Sequence, residues 1–104
     1  MVKVELSQQA LNDLLRLKRY ILANGGYQTT VNTLADALEE AWVLLQENPQ
    51  IGREYEYNSL YRELVIAVSK KRTCIALHRY YPLENLVVIV AIKDGREENY
   101  QIYQ

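Results

Sequence analysis

The stretch LYRELVIAVSKKRTCIALHRYYPLENLVVIVAIKDGREENY, residues 60–100, decides the fold. In its first part, Leu60, Arg62, Leu64, Ile66 and Val68 alternate with Tyr61, Glu63, Val65 and Ala67, the two-residue period of a strand. Thr73, Ile75, Leu77 and Arg79 alternate in the same way with Cys74, Ala76, His78 and Tyr80. The third part, Leu86 to Ile92, is apolar at every position, which predicts a central strand covered on both sides. Ser69-Lys70-Lys71 and Tyr81-Pro82-Leu83-Glu84-Asn85 separate the three, and Pro82 cannot donate to a ladder. Links this short favour antiparallel hairpins over parallel crossovers.

Working outward, the rest of the chain reads as cover for this sheet. Val2-Lys3-Val4-Glu5-Leu6 alternates as a short first strand, and Ser7 offers an N-cap for a helix from about Gln8 to Ala23. Its expected apolar face is Ala10/Leu11, Leu14/Leu15, Leu17 and Ile21/Leu22, with Gly25-Gly26 as the stop. A second helix is expected from Thr29 or Thr30 to Gln46, facing the sheet with Val31, Leu34/Ala35, Leu38, Ala41/Trp42 and Leu45, and closed by Asn48-Pro49. Pro49 to Asn58 reads as a loop bending at Gly52. The order is β-α-α-β-β-β: an α+β domain, residues 1–104, with a helical hairpin packed on a largely antiparallel sheet.

Composition narrows the function classes. A chain of 104 residues supports one core without staples, and the single cysteine, Cys74, reads as a small buried hydrophobe. No apolar run approaches the roughly 20 residues of a membrane span, and the N-terminus lacks the shape of a signal peptide, so a cytoplasmic location is expected. A net charge of −1 disfavours wholesale nucleic-acid binding. The charge is nevertheless uneven. Five basic residues between Arg62 and Arg79 face one acidic residue, Glu63, while residues 1–50 carry a net −2. No histidine or cysteine pair has metal-ligand spacing, and no cofactor motif is present. Nine tyrosines with no phenylalanine suit surfaces that are half apolar and half wet, and Tyr55, Tyr57 and Tyr61 alternate as one such patch.

Over nearly its whole length the chain resembles the RelE/ParE superfamily of toxins from type II toxin–antitoxin modules. The resemblance rests on the order of its pieces: strand, helical hairpin, Asn48-Pro49-x-x-Gly52-Arg53, Tyr61-Arg62-Glu63-Leu64, Leu77-His78-Arg79-Tyr80, the apolar strand, and Gly95-Arg96-Glu97-Glu98-Asn99-Tyr100. The ending is similar to that of the ParE-like, plasmid-stabilisation group. The resemblance implies a growth-inhibiting toxin held in a hetero-oligomer by a cognate antitoxin. ParE-like members act on DNA gyrase by binding; RelE-like members cut mRNA on the ribosome. A third alternative is an inactive relative that acts only with its antitoxin in regulation.

RNA cleavage needs a base, an acid and cations for the developing phosphorane charge. If the chain is a nuclease, the resemblance points to Arg62, Arg72 and Arg96 as charge stabilisers, with His78, Tyr100 or Tyr103 for proton transfer. Two departures argue against a complete set. Leu64 stands where nuclease members tend to keep a second basic residue, and relative to Arg96, Tyr100 comes too early and Tyr103 slightly late. The binding alternative places Arg62, Arg72, Arg79, Arg96 and Tyr100 against the target. Lone strand histidines are commonly hydrogen-bonded packing groups, and Lys70-Lys71-Arg72 reads as a solvated hairpin tip, with a phosphate clamp as the alternative. Arg96, after Gly95 at the exit of the central strand, is the best functional candidate, and its structural alternative is a salt bridge to Glu97, Glu98 or Glu63.

Overall fold

The computed structural model describes residues 1–23 and 28–101. Its elements are β1 (Lys3–Leu6), α1 (Gln8–Ala23), α2 (Gln28–Glu47), β2 (Arg53–Glu54), β3 (Tyr61–Ala67), β4 (Thr73–Tyr81) and β5 (Leu86–Asp94). The expected glycine stop at Gly25-Gly26 and Tyr103 lie outside the described residues. The α+β order is as read from the sequence, with one addition. β2 is a two-residue strand inside the expected loop, too short to show a hydrophobic period.

The sheet runs β1-β5-β4-β3-β2. β3, β4 and β5 form the expected antiparallel meander, whereas β1 pairs parallel to β5, from Lys3 opposite Leu86 to Leu6 opposite Ile89. The helical hairpin is thus the crossover between β1 and the rest of the sheet. Both helices lie on one face. There Val4, Leu64, Ile66, Val68, Cys74, Ala76, Val87, Ile89 and Ile92 meet Ala10, Leu17, Ile21, Val31, Leu34, Ala37, Ala41 and Leu45 in one core. Cys74 is a buried thiol whose pKa burial, reinforced by the Asp94 carboxylate, pushes up to about 11, so it packs and does not react.

Three expectations need correction. β5 is central but not covered by helices on both faces: the side carrying Leu86, Val88 and Lys93 stays half-exposed. Its unbroken apolar run also hid a β-bulge. His78 pairs with Ile89 and Leu77 with Ala91, so Val90 is an extra residue. The bulge shifts the alternation by one, sending Ile92 and Asp94 to the helical side. On α1, only one member of each leucine pair can point at the sheet. Leu11, Leu15 and Leu22 are exposed, and a charged residue, Asp13, takes the core position between Ala10 and Leu17. On α2, Ala37 is buried and Ala35 exposed.

Asp13 is buried for a reason. β1 ends at Leu6, so β5 beyond Ile89 has no strand on that edge. The Ile92 N–H donates instead to Asp13 Oδ2 at 2.8 Å, and the Asp94 N–H donates to Glu97 Oε1 at 2.9 Å. Ser7 starts the helix that delivers Asp13. Its Oγ accepts the Ala10 N–H at 3.0 Å, as expected of an N-cap, and donates to the Val90 carbonyl at 2.7 Å. Asp13→Ala leaves a buried amide unsatisfied and strips Arg16 of its 3.6 Å partner. It should lower the unfolding free energy by about 2–4 kcal/mol, read as a fall in the urea midpoint at unchanged slope.

Candidate binding surface

The residues singled out from the sequence fall in three separate places. Arg62 and His78 sit opposite each other on β3 and β4, on the helical side, because Arg62 shares its face with Leu64, Ile66 and Val68. His78 is 1% exposed, and its Nε2 lies 2.9 Å from the Ile51 carbonyl. A carbonyl only accepts, so Nε2 carries the proton and Nδ1 keeps a lone pair, with no hydrogen-bond partner among the described residues. Burial holds the imidazole pKa below its ordinary value, and the Arg62 charge pushes the same way against the Ile51 hydrogen bond. His78 is therefore a neutral packing group beside the loop. Arg62 donates to the Gly52 carbonyl at 3.0 Å and stands 4.0 Å from Glu54. Gly52, at φ 105°, lies so close to the Glu63 carbonyl that a Cβ would collide with it.

The second place is the end of the sheet where β4 begins and β5 leaves. Arg72 turns back from the hairpin tip to bond Asp94 Oδ2 at 2.9 Å, with both side chains largely buried. Arg96 donates its backbone N–H (2.9 Å) and Nε (3.3 Å) to Asp94 Oδ1, while its side chain stays 69% exposed. The partner of Arg96 is thus Asp94 and not Glu97, Glu98 or Glu63, since the bulge aims Asp94 at this corner. Lys70 and Lys71 form the solvated tip, as expected, and Arg72 does not join them. Arg62 stands five strand positions from Ala67, which pairs with Thr73 beside Arg72. That is roughly 17 Å between backbones at about 3.3 Å per residue, and each side chain is tied to its own partner, Gly52 for Arg62 and Asp94 for Arg72.

The third place is the sheet face opposite the helices. Arg79 lies between two rings, 4.6 Å from the Tyr81 centroid and 5.7 Å from that of Tyr61. Among the described residues no carboxylate pairs with it, so the ring faces steady the cation while its N–H groups stay open to a partner. Two residues along β3, Glu63 accepts from the Tyr100 hydroxyl at 2.5 Å and from Arg53 Nε at 3.2 Å. Lys93 caps the Tyr100 ring at 4.7 Å, and Tyr55 meets it edge-on at 6.0 Å, itself packed at 5.4 Å against Tyr57. Burial, then the Glu63 hydrogen bond and charge, push the Tyr100 phenol far above the ordinary tyrosine range. It stays protonated and tied down, unsuited to proton transfer. The expected tyrosine patch exists, but Tyr61 belongs with Arg79 and Tyr81 while Tyr55 and Tyr57 join Tyr100.

Sequence reasoning missed Asp13 and Asp94, and gave Glu63 and Glu97 to Arg96 where the structure gives them to Arg53 with Tyr100 and to Arg16. The available signal was a carboxylate closing an apolar strand just before a glycine, with an arginine after it. Among the described residues no cluster of three or more His, Cys, Asp or Glu side chains could hold a metal ion, and no helix is long and apolar enough to cross a membrane.

Glu97 gives the corner a pH signature. Burial pushes its carboxyl up, but the Asp94 N–H, the Arg16 guanidinium and the Gln101 amide together outweigh that and leave its pKa low. A carboxyl lowered on folding contributes stability above its unfolded pKa, about 4.3, and loses it as pH falls through the lower folded value. Glu97→Gln should therefore be less stable than the parent at pH 7. Its unfolding midpoint should also fall less steeply than the parent's from about pH 4 downward.

With this geometry established, comparison with known proteins gives three results. The family model described as ParE toxin of type II toxin-antitoxin system, parDE, matches residues 4–99. No curated protein sequence matches. Among solved structures, a metal-bound toxin from Helicobacter pylori is similar at 15% identity and a TM-score of 0.41, covering 95% of this chain and 100% of that one.

Proposed function

This chain belongs to the ParE toxin family of type II toxin–antitoxin systems, and we propose that it arrests growth by binding DNA gyrase and is neutralised by a cognate antitoxin. The observation that carries this reading is the Arg79 guanidinium held between Tyr61 and Tyr81 on the uncovered sheet face. Tyrosine and arginine dominate the energetics of protein interfaces, because each offers large, stiff contact area with a polar end. Here both are preorganised, so little side-chain entropy remains to be lost on binding. Tyr55, Tyr57 and Tyr100 extend the same face, and Arg96 presents an exposed cation beyond the Asp94 corner.

Binding is favoured over RNA cleavage by how the described candidates for proton transfer and charge stabilisation are held. His78 is neutral and enclosed, Tyr100 is committed to Glu63, and Arg72 is committed to Asp94. Arg62 and Arg72 are tied down toward opposite ends of β3, on Gly52 and Asp94, which disfavours a joint grip on one scissile phosphate. A hetero-oligomer with the antitoxin and a role in plasmid stabilisation belong to the same proposal.

Expression without an antitoxin should induce the DNA-damage response and block supercoiling by purified gyrase. Arg79→Ala should weaken that block roughly 10- to 100-fold, equivalent to about 1–3 kcal/mol, without changing the thermal midpoint by more than a few degrees. Arg96→Ala should reduce toxicity in a folded protein, and His78→Gln, which retains a donor toward Ile51, should leave toxicity intact. Site-specific cutting of transcripts on programmed ribosomes, lost in His78→Gln, would overturn the proposal in favour of a nuclease.

A further inference from the structure

The β3 edge carries an unfilled half of a ladder. The Tyr55 N–H donates to the Tyr61 carbonyl at 3.0 Å, and Arg53 pairs with Glu63. Main-chain groups alternate sides along a strand, so Tyr61, Glu63, Val65 and Ala67 all turn their N–H and C=O toward this edge. The even-numbered residues turn inward, as the Val68 N–H shows by donating to the Arg72 carbonyl at 3.0 Å. β2 covers only Arg62 and Glu63, since the chain arrives through the bend at Gly52. Among the described residues, no strand pairs with Val65 or Ala67 on the outer side. Both residues are exposed, Val65 at 51%.

We infer that the Val65–Ala67 edge of β3 takes up an extended segment of a protein partner, with apolar side chains opposite Val65 and acidic ones toward Lys70 and Lys71. The backbone supplies the affinity: two N–H and two C=O groups in ladder geometry, on a strand already held by seven pairs to β4. Val65 asks for an apolar cross-strand neighbour on the open face. Lys70 and Lys71, at the tip that ends this edge, are exposed and have no ion pair among the described residues. They complement a carboxylate-bearing strand and repel a basic one. Edge lysines also blunt strand-to-strand association, so the same pair disfavours a second copy of this chain, which would bring its own lysines to the edge. This inference deepens the reading above, since the antagonist expected of a toxin is the natural source of such a segment.

The parity of the edge gives a selective test. Proline at position 67 removes an N–H that faces outward and leaves the β4 ladder whole, the one kind of strand position that tolerates it. The probe is a synthetic eight-residue peptide alternating valine and glutamate, titrated into the full chain and followed by amide hydrogen exchange in NMR. Val65 and Ala67 amides should exchange freely in the protein alone and slow at least tenfold with the peptide. A lysine-for-glutamate peptide should bind at least tenfold more weakly, and Lys70→Glu/Lys71→Glu should erase that preference. Ala67→Pro should keep the far-UV spectrum and lose binding. Should Ala67→Pro fail to fold, the parent protein with a peptide N-methylated at alternate residues gives the same reading, and its binding must be lost. Protection elsewhere with none at Val65 and Ala67, undiminished binding of the N-methylated peptide, or concentration-dependent protection of the edge in the protein alone would overturn the inference. The amide readings are independent of gyrase. A negative supercoiling assay overturns the target and leaves the edge standing, and absent protection does the reverse.

Discussion

The Ile92 amide has lost its strand. β1 accompanies β5 only as far as Ile89, and past that point the central strand of the sheet runs on with one bare edge against a helix. A buried N–H without a partner costs about 1–3 kcal/mol, so something must accept it. Asp13, wholly buried on α1, does so, and Glu97 does the same for the Asp94 N–H. Those two carboxylates are then bridged by one guanidinium, since Arg16 lies 3.6 Å from Asp13 and 2.9 Å from Glu97. Asp94 in turn holds Arg72 and Arg96. One broken ladder thus fixes the pitch of α1 on the sheet, the turn after β5 and the root of the β3–β4 hairpin.

The same arrangement explains why Arg53 and Arg72 are not free reagents. Charges taken out of water must be paired, and here each buried carboxylate takes an arginine. Arg72 and Arg53 are used in that way, on Asp94 and Glu63. Arg79 is held differently: among the described residues it stands against ring faces and not a counter-charge, so its positive charge remains available to whatever meets the open face of the sheet. Stacking also limits how far the side chain can move. A surface organised in this way suits recognition by shape and contact, as the proposed binding role requires.

Much of this was legible from the residues alone. Strict alternation over 60–68 and 73–80 marked two strands, Ser7 marked the start of a helix, and the short polar links made the meander antiparallel. Each of those signals is local, set by backbone period or by one side chain within hydrogen-bonding reach of its own neighbours. His78 was likewise readable as a packing group, because its register with Cys74 and Ala76 placed it on the apolar side.

What tertiary structure alone decided begins at Val90. An all-apolar strand has no alternation to betray a bulge, yet that one extra residue sends Asp94 to the helical side and so chooses the partner of Arg72 and Arg96. The doubled leucines of α1 were ambiguous for a similar reason. A helix shows both members of each pair near its apolar stripe, and only the need of Ile92 for an acceptor put Asp13 inside and left Leu11 and Leu15 out. Local periodicity carries which segments are strands and helices. Which side of a strand a charge emerges from depends on register across the sheet, a relation between residues some 80 positions apart that no window of sequence contains.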